Sequence, residues 1–157
     1  MKIPVYEPIL NQGNERKYLQ KVIDSNWISS EGYFVQKFEE EFAKWSGNRY
    51  AIAVCNGTAA LETAVFSCPF EFKDEDTFIP TTTIISCLIA LLRNTHNPIF
   101  YEDEINTTTV NPLMRCHLFG KFNNSNTKGI IIDDASQYWK PFKVKDVACY
   151  SLYANKL

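Results

Sequence analysis

At 157 residues, 45% hydrophobic and 22% charged, the chain can bury a core and is too apolar to be disordered, so one domain is expected. Its net charge of -2, without a long basic run, argues against nucleic acid and against membrane surfaces as partners. The opening Met1-Lys2-Ile3-Pro4-Val5 has no apolar signal core, and the run Ile84 to Leu92, broken by Ser86, is too short for a bilayer.

In chain order, Tyr18, Leu19, Val22 and Ile23 make a helical stripe across Glu15 to Ile23. Trp27-Ile28-Ser29-Ser30-Glu31-Gly32 reads as a loop. A second helix, Tyr33 to Trp45, gathers Phe34, Phe38, Phe42 and Trp45 on one face and is stopped by Gly47-Asn48. Tyr50 to Cys55 has the length and apolarity of a strand, and Asn56-Gly57-Thr58 turns it into an apolar helix, Ala59 to Phe66. A strand, a glycine turn and a helix start make an anion site, because unpaired amides and the helix dipole face the turn. The same residues also suit a tight turn that holds nothing, since glycine permits one anywhere.

Further along, Thr77-Phe78-Ile79 is a predicted strand ended by Pro80, and Thr83 to Arg93 a predicted helix. Ile99-Phe100-Tyr101 is the next strand, with Glu102-Asp103-Glu104 as its solvated end rather than a metal site. Leu113 to Phe119 is a strand containing His117, which reads as a packed, hydrogen-bonded side chain more readily than as a catalyst. Cys55, Cys68, Cys87, Cys116 and Cys149, without a CxxC spacing, read as reduced core residues of a cytoplasmic protein. The alternation predicts an α/β fold: a mostly parallel sheet flanked by helices. Two connections are too short to lay a helix over that sheet, Ile99 strand to Leu113 strand and Gly120 to Ile130. One sheet face is therefore expected to stay partly uncovered.

The last stretch carries the chemistry. Ile130-Ile131-Ile132 runs into Asp133-Asp134-Ala135-Ser136-Gln137, and Val147 to Leu157 reads as a second strand ending on Lys156. In open α/β sheets ligands bind at the carboxyl ends of strands. If these strands are neighbours, an ammonium and a carboxylate meet in one crevice, which is what pyridoxal phosphate requires beside an anion cup for its phosphate. Taken singly, Lys156 could be solvated charge, Asp133 and Asp134 a strand end, and Gln137 a surface residue.

Motifs in the same order resemble the DegT/DnrJ/EryC1/StrS nucleotide-sugar aminotransferases, perosamine synthase-like members of the fold-type I pyridoxal phosphate enzymes. They are Ile3-Pro4, Gly13-Asn14-Glu15, Trp27-Ile28-Ser29-Ser30-x-Gly32, Phe38-Glu39-x-x-Phe42-Ala43, Ala53 to Leu61, His117-Leu118-Phe119-Gly120, Asp133 to Gln137 and Val147 to Lys156. The resemblance implies that Lys156 forms the Schiff base with the cofactor and moves the proton between cofactor and substrate. It implies that Asp134 pairs with the pyridinium nitrogen, that Gln137 bonds the ring hydroxyl, and that Gly57, Thr58 and Ser151 hold the phosphate. Trp27, Ser29 and Gly32 would lie near the substrate entrance. The implied reaction moves an amino group from an amino acid, typically glutamate, to a 4-keto-6-deoxy nucleotide sugar, in a homodimer or a heterodimer with a full-length relative.

Several features depart from that family, among them the two short connections, which sit where it has helices, and a shortened segment from Tyr138 to Asp146. Family members also continue past the lysine, so residues 1–157 are expected to be one incomplete cofactor-binding large domain without the small carboxyl-terminal domain. Ile84 stands where the family often stacks an aromatic ring on the cofactor, and Asp133 where glutamate is common. Two other functions compete: a non-catalytic truncated remnant or docking subunit of that family, and a plain phosphate-binding α/β module using Asn56-Gly57-Thr58. The latter lacks a GxGxxG or GxxxxGK[ST] pattern.

Overall fold

Apolar residues three and four apart decide the first elements. The computed structural model describes residues 12–69 and 75–153 and divides the chain into two units, one up to Ala53 and one from Val54. In the first unit, helix α1 spans Glu15–Asp24 and helix α2 Tyr33–Ser46. Tyr18 of α1 meets Phe34 of α2 at 5.6 Å between ring centroids, and Phe38, Phe42 and Trp45 stack onward along α2. Gly47, at φ 71°, ends α2 in the left-handed conformation, and the Asn48 amide returns to the Ala43 carbonyl. No strand forms over 50–55, contrary to the sequence reading. Tyr50 and Ile52 are exposed, and the Ala53 amide donates to Glu39 Oε1 at 2.8 Å instead of to a ladder. A short apolar run specifies a strand only if a sheet edge takes it up.

The second unit is a parallel sheet of five strands with two helices on one face. Helix α3 (Gly57–Phe66) precedes β1 (Asp76–Pro80), and helix α4 (Ile85–Arg93) crosses to β2 (Asn97–Tyr101). Strands β3 (Leu113–Cys116), β4 (Ile131–Asp134) and β5 (Val147–Cys149) follow, in the spatial order β2-β1-β3-β4-β5. All pairs are parallel; Cys116 stands opposite Asp134, and Asp134 opposite Cys149. Strands β1 and β2 are each two residues longer than read, whereas β3 stops before His117 and β5 stops at Cys149, both shorter than read. Alternation sends Ile79, Met114, Cys116, Ile132 and Cys149 toward Leu61, Ala64 and Val65 of α3 and Cys87, Ala90 and Leu91 of α4.

The opposite face is covered over β3 and β4 but not over the edge strand β2, where Ile99 is 40% exposed, so the expectation from loop lengths holds only in part. Leu113 and Ile131 are fully buried there, with Tyr101, Phe78 and Ile105 around them. The two short crossovers pair with each other over the sheet through a parallel bridge, Asn106 to Asn126, extended by Thr107 N–H to Asn126 O and Lys128 N–H to Thr109 O. Lys145 Nζ then ties down the carbonyls of Thr127 and Gly129 at 3.0 and 2.6 Å. Backbone groups of coil thus find partners in coil, so a helix is not needed to cover the strands.

Four of the five cysteines are buried; Cys55 is exposed, against its reading as a core residue. Burial, aided by the nearby charges of Asp134 and Asp133, pushes the Cys149 thiol up from 9.0 to about 12. The folded chain keeps that proton while the unfolded chain loses it above 9.0, so this contribution is present at lower pH and is lost as pH rises from 9.0 toward 12. Tyr101 and Tyr150, each raised by burial from 10.0 to about 12, act in the same sense. Urea titrations repeated from neutral to alkaline pH should show stability falling in this window, with a shallower fall for Cys149→Ala. An unchanged slope in that variant would refute the assignment.

Candidate active site

The strand order reverses direction between β1 and β3, since the chain goes from β1 outward to β2 and then back across to β3. Crevices at such switch points, beyond the carboxyl ends of the strands, are where open α/β sheets take ligands. A cavity of about 320 Å³ lies there, lined by Pro80, Thr81 and Thr82 at the end of β1 and by Cys116, Leu118 and Phe119 at the end of β3. Asp103 and Phe119, at its rim, have φ of 55° and 54°, a conformation that non-glycine residues rarely take.

Asp134 closes β4 beside this crevice and is 2% exposed. Its Oδ1 accepts the Ser136 amide at 2.9 Å and its Oδ2 the Cys87 thiol at 3.1 Å. Cys116 Sγ stands 3.6 Å from Cys87 Sγ and 3.0 Å from Thr83 Oγ1. The Cys87 thiol is pushed up by its bond with Cys116, by burial and by the Asp134 charge. Each carboxylate oxygen has a second lone pair left for a ligand.

Gln137 Oε1 accepts the Phe119 amide at 3.1 Å, so the amide group's orientation is set and its NH₂ remains a donor. At the start of α3, Asn56 caps the helix by accepting the Ala59 amide at 2.8 Å. The amides of Gly57 and Thr58 occupy the first helical positions, where there is no carbonyl within the helix to bond. Ser151 packs against this turn so tightly that a Cβ on Gly57 would sit 3.1 Å from Ser151 Cβ and 3.4 Å from its Oγ. Thr58 Oγ1 donates to Ser86 Oγ of α4 at 3.1 Å. The helix start, the Thr58 hydroxyl and Ser151 thus come together at one turn, where the sequence reading expected either a phosphate or an empty turn.

Trp27, Ser29 and Gly32 come together in the first unit. A Cβ on Gly32 would lie 2.8 Å from Trp27 Cδ1 and 3.4 Å from the Ser29 carbonyl oxygen, and all three line a groove of about 600 Å³. Lys156 lies outside the described residues, as does Ile3-Pro4. Ile84 is half-buried at the N-cap of α4, so an aliphatic side chain stands where a stacking ring was sought.

His117 is structural. The Asn123 amide donates to its Nδ1 at 3.0 Å, so the ring proton sits on Nε2 and is given to Asp133 Oδ1 at 3.0 Å. Arg115 grips the same carboxylate with Nε and Nη2, and Phe122 stacks on the imidazole at 4.5 Å. Both ring nitrogens are spent, leaving none to take a proton from a substrate. Asp133 faces this side of the sheet and Asp134 the helix side, as successive strand residues must.

Sequence reading missed Cys87, Cys116, Thr83 and Ser86 around the acid and the cup. Thr83 just precedes α4 and Cys87 sits in its first turn, but nothing local joins either to Cys116, 29 residues on from Cys87.

Residues 10–132 match the DegT/DnrJ/EryC1/StrS aminotransferase family. The chain belongs to that family. Within the DegT/DnrJ/EryC1/StrS group it is 31% identical over 182 residues to the GDP-perosamine synthase of Escherichia coli O157:H7, a match covering 98% of this chain and 50% of that protein. It is 42% identical over 102 residues to the GDP-perosamine synthase of Vibrio cholerae, covering 65% and 27%. The chain spans about half the length of the E. coli relative. The fold matches Streptococcus pneumoniae Spr1654 in its apo form with a TM-score of 0.82 at 15% identity, over 98% of this chain and 49% of that one. It also matches the E. coli GDP-4-keto-6-deoxy-D-mannose-3-dehydratase with bound hydrated PLP, with a TM-score of 0.70 at 21% identity, over 87% and 41%.

Proposed function

We propose that this chain forms the pyridoxal phosphate site of an aminotransferase acting on a nucleotide sugar, residues 1–157 being part of the large domain of that enzyme. The observation that carries the reading is an acid and an anion cup on adjacent strands: Asp134 ends β4, and Ser151, just past β5, presses on the Gly57 turn. When bound, pyridoxal phosphate supplies an electron sink through which an amino group passes from an amino acid, typically glutamate, to a 4-keto-6-deoxy sugar.

The chain's own groups then have separable tasks. Asp134, buried at the end of β4, would hold the proton on the ring nitrogen. The Ser136 amide and the Cys87 thiol keep its two oxygens in place. Gln137 donates its free NH₂ to the ring hydroxyl. The Gly57 and Thr58 amides, with Ser151 Oγ, bind the phosphate at the positive end of α3. Lys156 moves the proton. Trp27, Ser29 and Gly32 contact the sugar nucleotide at the entrance. A dimer, with itself or with a full-length relative, fits the exposed Leu19, Ile23, Ile28 and Tyr33 of the first unit. Free cysteines fit a reducing compartment, the cytoplasm. Among the described residues no helix is long and apolar enough to cross a membrane.

Borohydride added to the protein with pyridoxal phosphate should leave a covalent tag on Lys156, found by peptide mass analysis. Folded protein with an untagged Lys156 overturns the proposal. Ser151→Ala should weaken pyridoxal phosphate binding about 10–100-fold, the loss of one hydrogen bond to a charged group. Titration by cofactor absorbance reads this directly, and unchanged affinity would remove Ser151 from the cup.

A further inference from the structure

We propose that Cys87, Cys116 and Asp134 form a binding site for a thiophilic divalent metal of the zinc class, with Thr83 at its edge. The three ligand atoms lie within 4.8 Å of one another, and every one is buried. A tetrahedral zinc site with metal–sulfur bonds of about 2.3 Å sets its two sulfurs roughly 3.8 Å apart. The two sulfurs here stand 3.6 Å apart already, with no metal present. The same geometry places a carboxylate oxygen roughly 3.5 Å from each sulfur, and Asp134 Oδ2 is 3.1 Å from Cys87 Sγ. Thr83 Oγ1, 3.0 Å from Cys116 Sγ, marks the direction from which a hydroxyl or a water completes four ligands.

The frame holding these groups is stiff. Cys87 rides on α4, Cys116 ends β3 and Asp134 ends β4, its Oδ1 pinned by the Ser136 amide. Of these groups Cys116 also lines the 320 Å³ cavity at the switch point, the side from which a metal would arrive. Binding breaks two S–H bonds, releases two protons to solvent, and leaves two thiolates and a carboxylate donating to the metal. Two thiolates favour soft ions, which sets zinc and cadmium above magnesium or calcium.

The site stands on this geometry alone. One consequence rests on the function proposed above: metal and pyridoxal phosphate both claim Asp134, so each excludes the other.

Cadmium titration of the metal-free protein, followed by thiolate-to-metal charge-transfer absorbance, tests the site. One equivalent per chain should saturate the band, magnesium should not produce it, and Cys87→Ser and Cys116→Ser should each abolish it. X-ray absorption of cadmium-loaded wild-type protein should show two sulfur ligands with oxygen completing the shell, a result that needs no variant to fold. No band in folded wild-type protein, a band that survives both substitutions, or a shell with no sulfur or four sulfurs each overturns the proposal. Pyridoxal phosphate added first should suppress the band. A band that persists beside bound cofactor overturns the cofactor's use of Asp134 while leaving the metal site standing.

Discussion

Replacing Asp133 with alanine is expected to cost about 3–5 kcal/mol of folding stability, the usual penalty for stranding a buried partner charge. Asp133 is fully buried and accepts Arg115 Nε at 2.5 Å, Arg115 Nη2 at 2.8 Å and His117 Nε2 at 3.0 Å. Without it, a guanidinium that is 8% exposed keeps only the Ser125 carbonyl at 3.4 Å and the Phe122 ring at 5.4 Å. His117 loses its acceptor in the same stroke. The damage comes from the orphaned groups rather than from the worth of the pair, because burying two ions gains little over burying two apolar side chains. The double variant Arg115→Met with Asp133→Leu should therefore be less harmed than Asp133→Ala alone. Urea unfolding of wild type, Arg115→Met, Asp133→Leu and the double variant measures the coupling. A loss below about 1 kcal/mol for Asp133→Ala, the range of an exposed pair, would show that water reaches the network.

Gly129→Ala is the second severe change, expected to exceed about 4 kcal/mol or to prevent folding, as backbone overlap does. A Cβ there would overlap the Val110 carbonyl and come within 2.5 Å of the Asn111 carbonyl oxygen. Both obstacles are backbone, in the connection that leads into β3, so neither can swing aside as a side chain would. Relief would have to part the two crossovers, and with them the cover over Leu113 and Ile131. The neighbouring Lys128→Ala should stay within about 0.5 kcal/mol, because its side chain is exposed and only its amide is used. Thermal unfolding of the two variants side by side would expose an error: equal, small losses mean the loops do not pack as described.

These two positions also show where sequence reading stops. Helices α1, α2 and α4 were legible because side-chain periodicity is local: residues three and four apart share a face whatever the rest of the chain does. The acid at the end of β4 and the glycine turn before α3 were legible for a related reason, since the ends of strands and helices expose their polar groups wherever they occur. The strand expected over 50–55 failed because a strand is completed by a partner, and no residue within the run can provide one. Likewise the crossovers looked too short to protect the sheet, yet Asn106 and Asn126 pair across 20 residues beside the buried Leu113 and Ile131, leaving the edge at Ile99 exposed.

By itself the sequence determined the family, the alternation of strands and helices, and the residue types that could meet a phosphate and a ring nitrogen. Only the tertiary structure decided that Asp133 turns to Arg115 and His117 while Asp134 turns to Cys87 and Cys116. Two identical neighbouring letters take opposite environments because a strand sends successive side chains to opposite faces, and what waits on each face comes from distant parts of the chain.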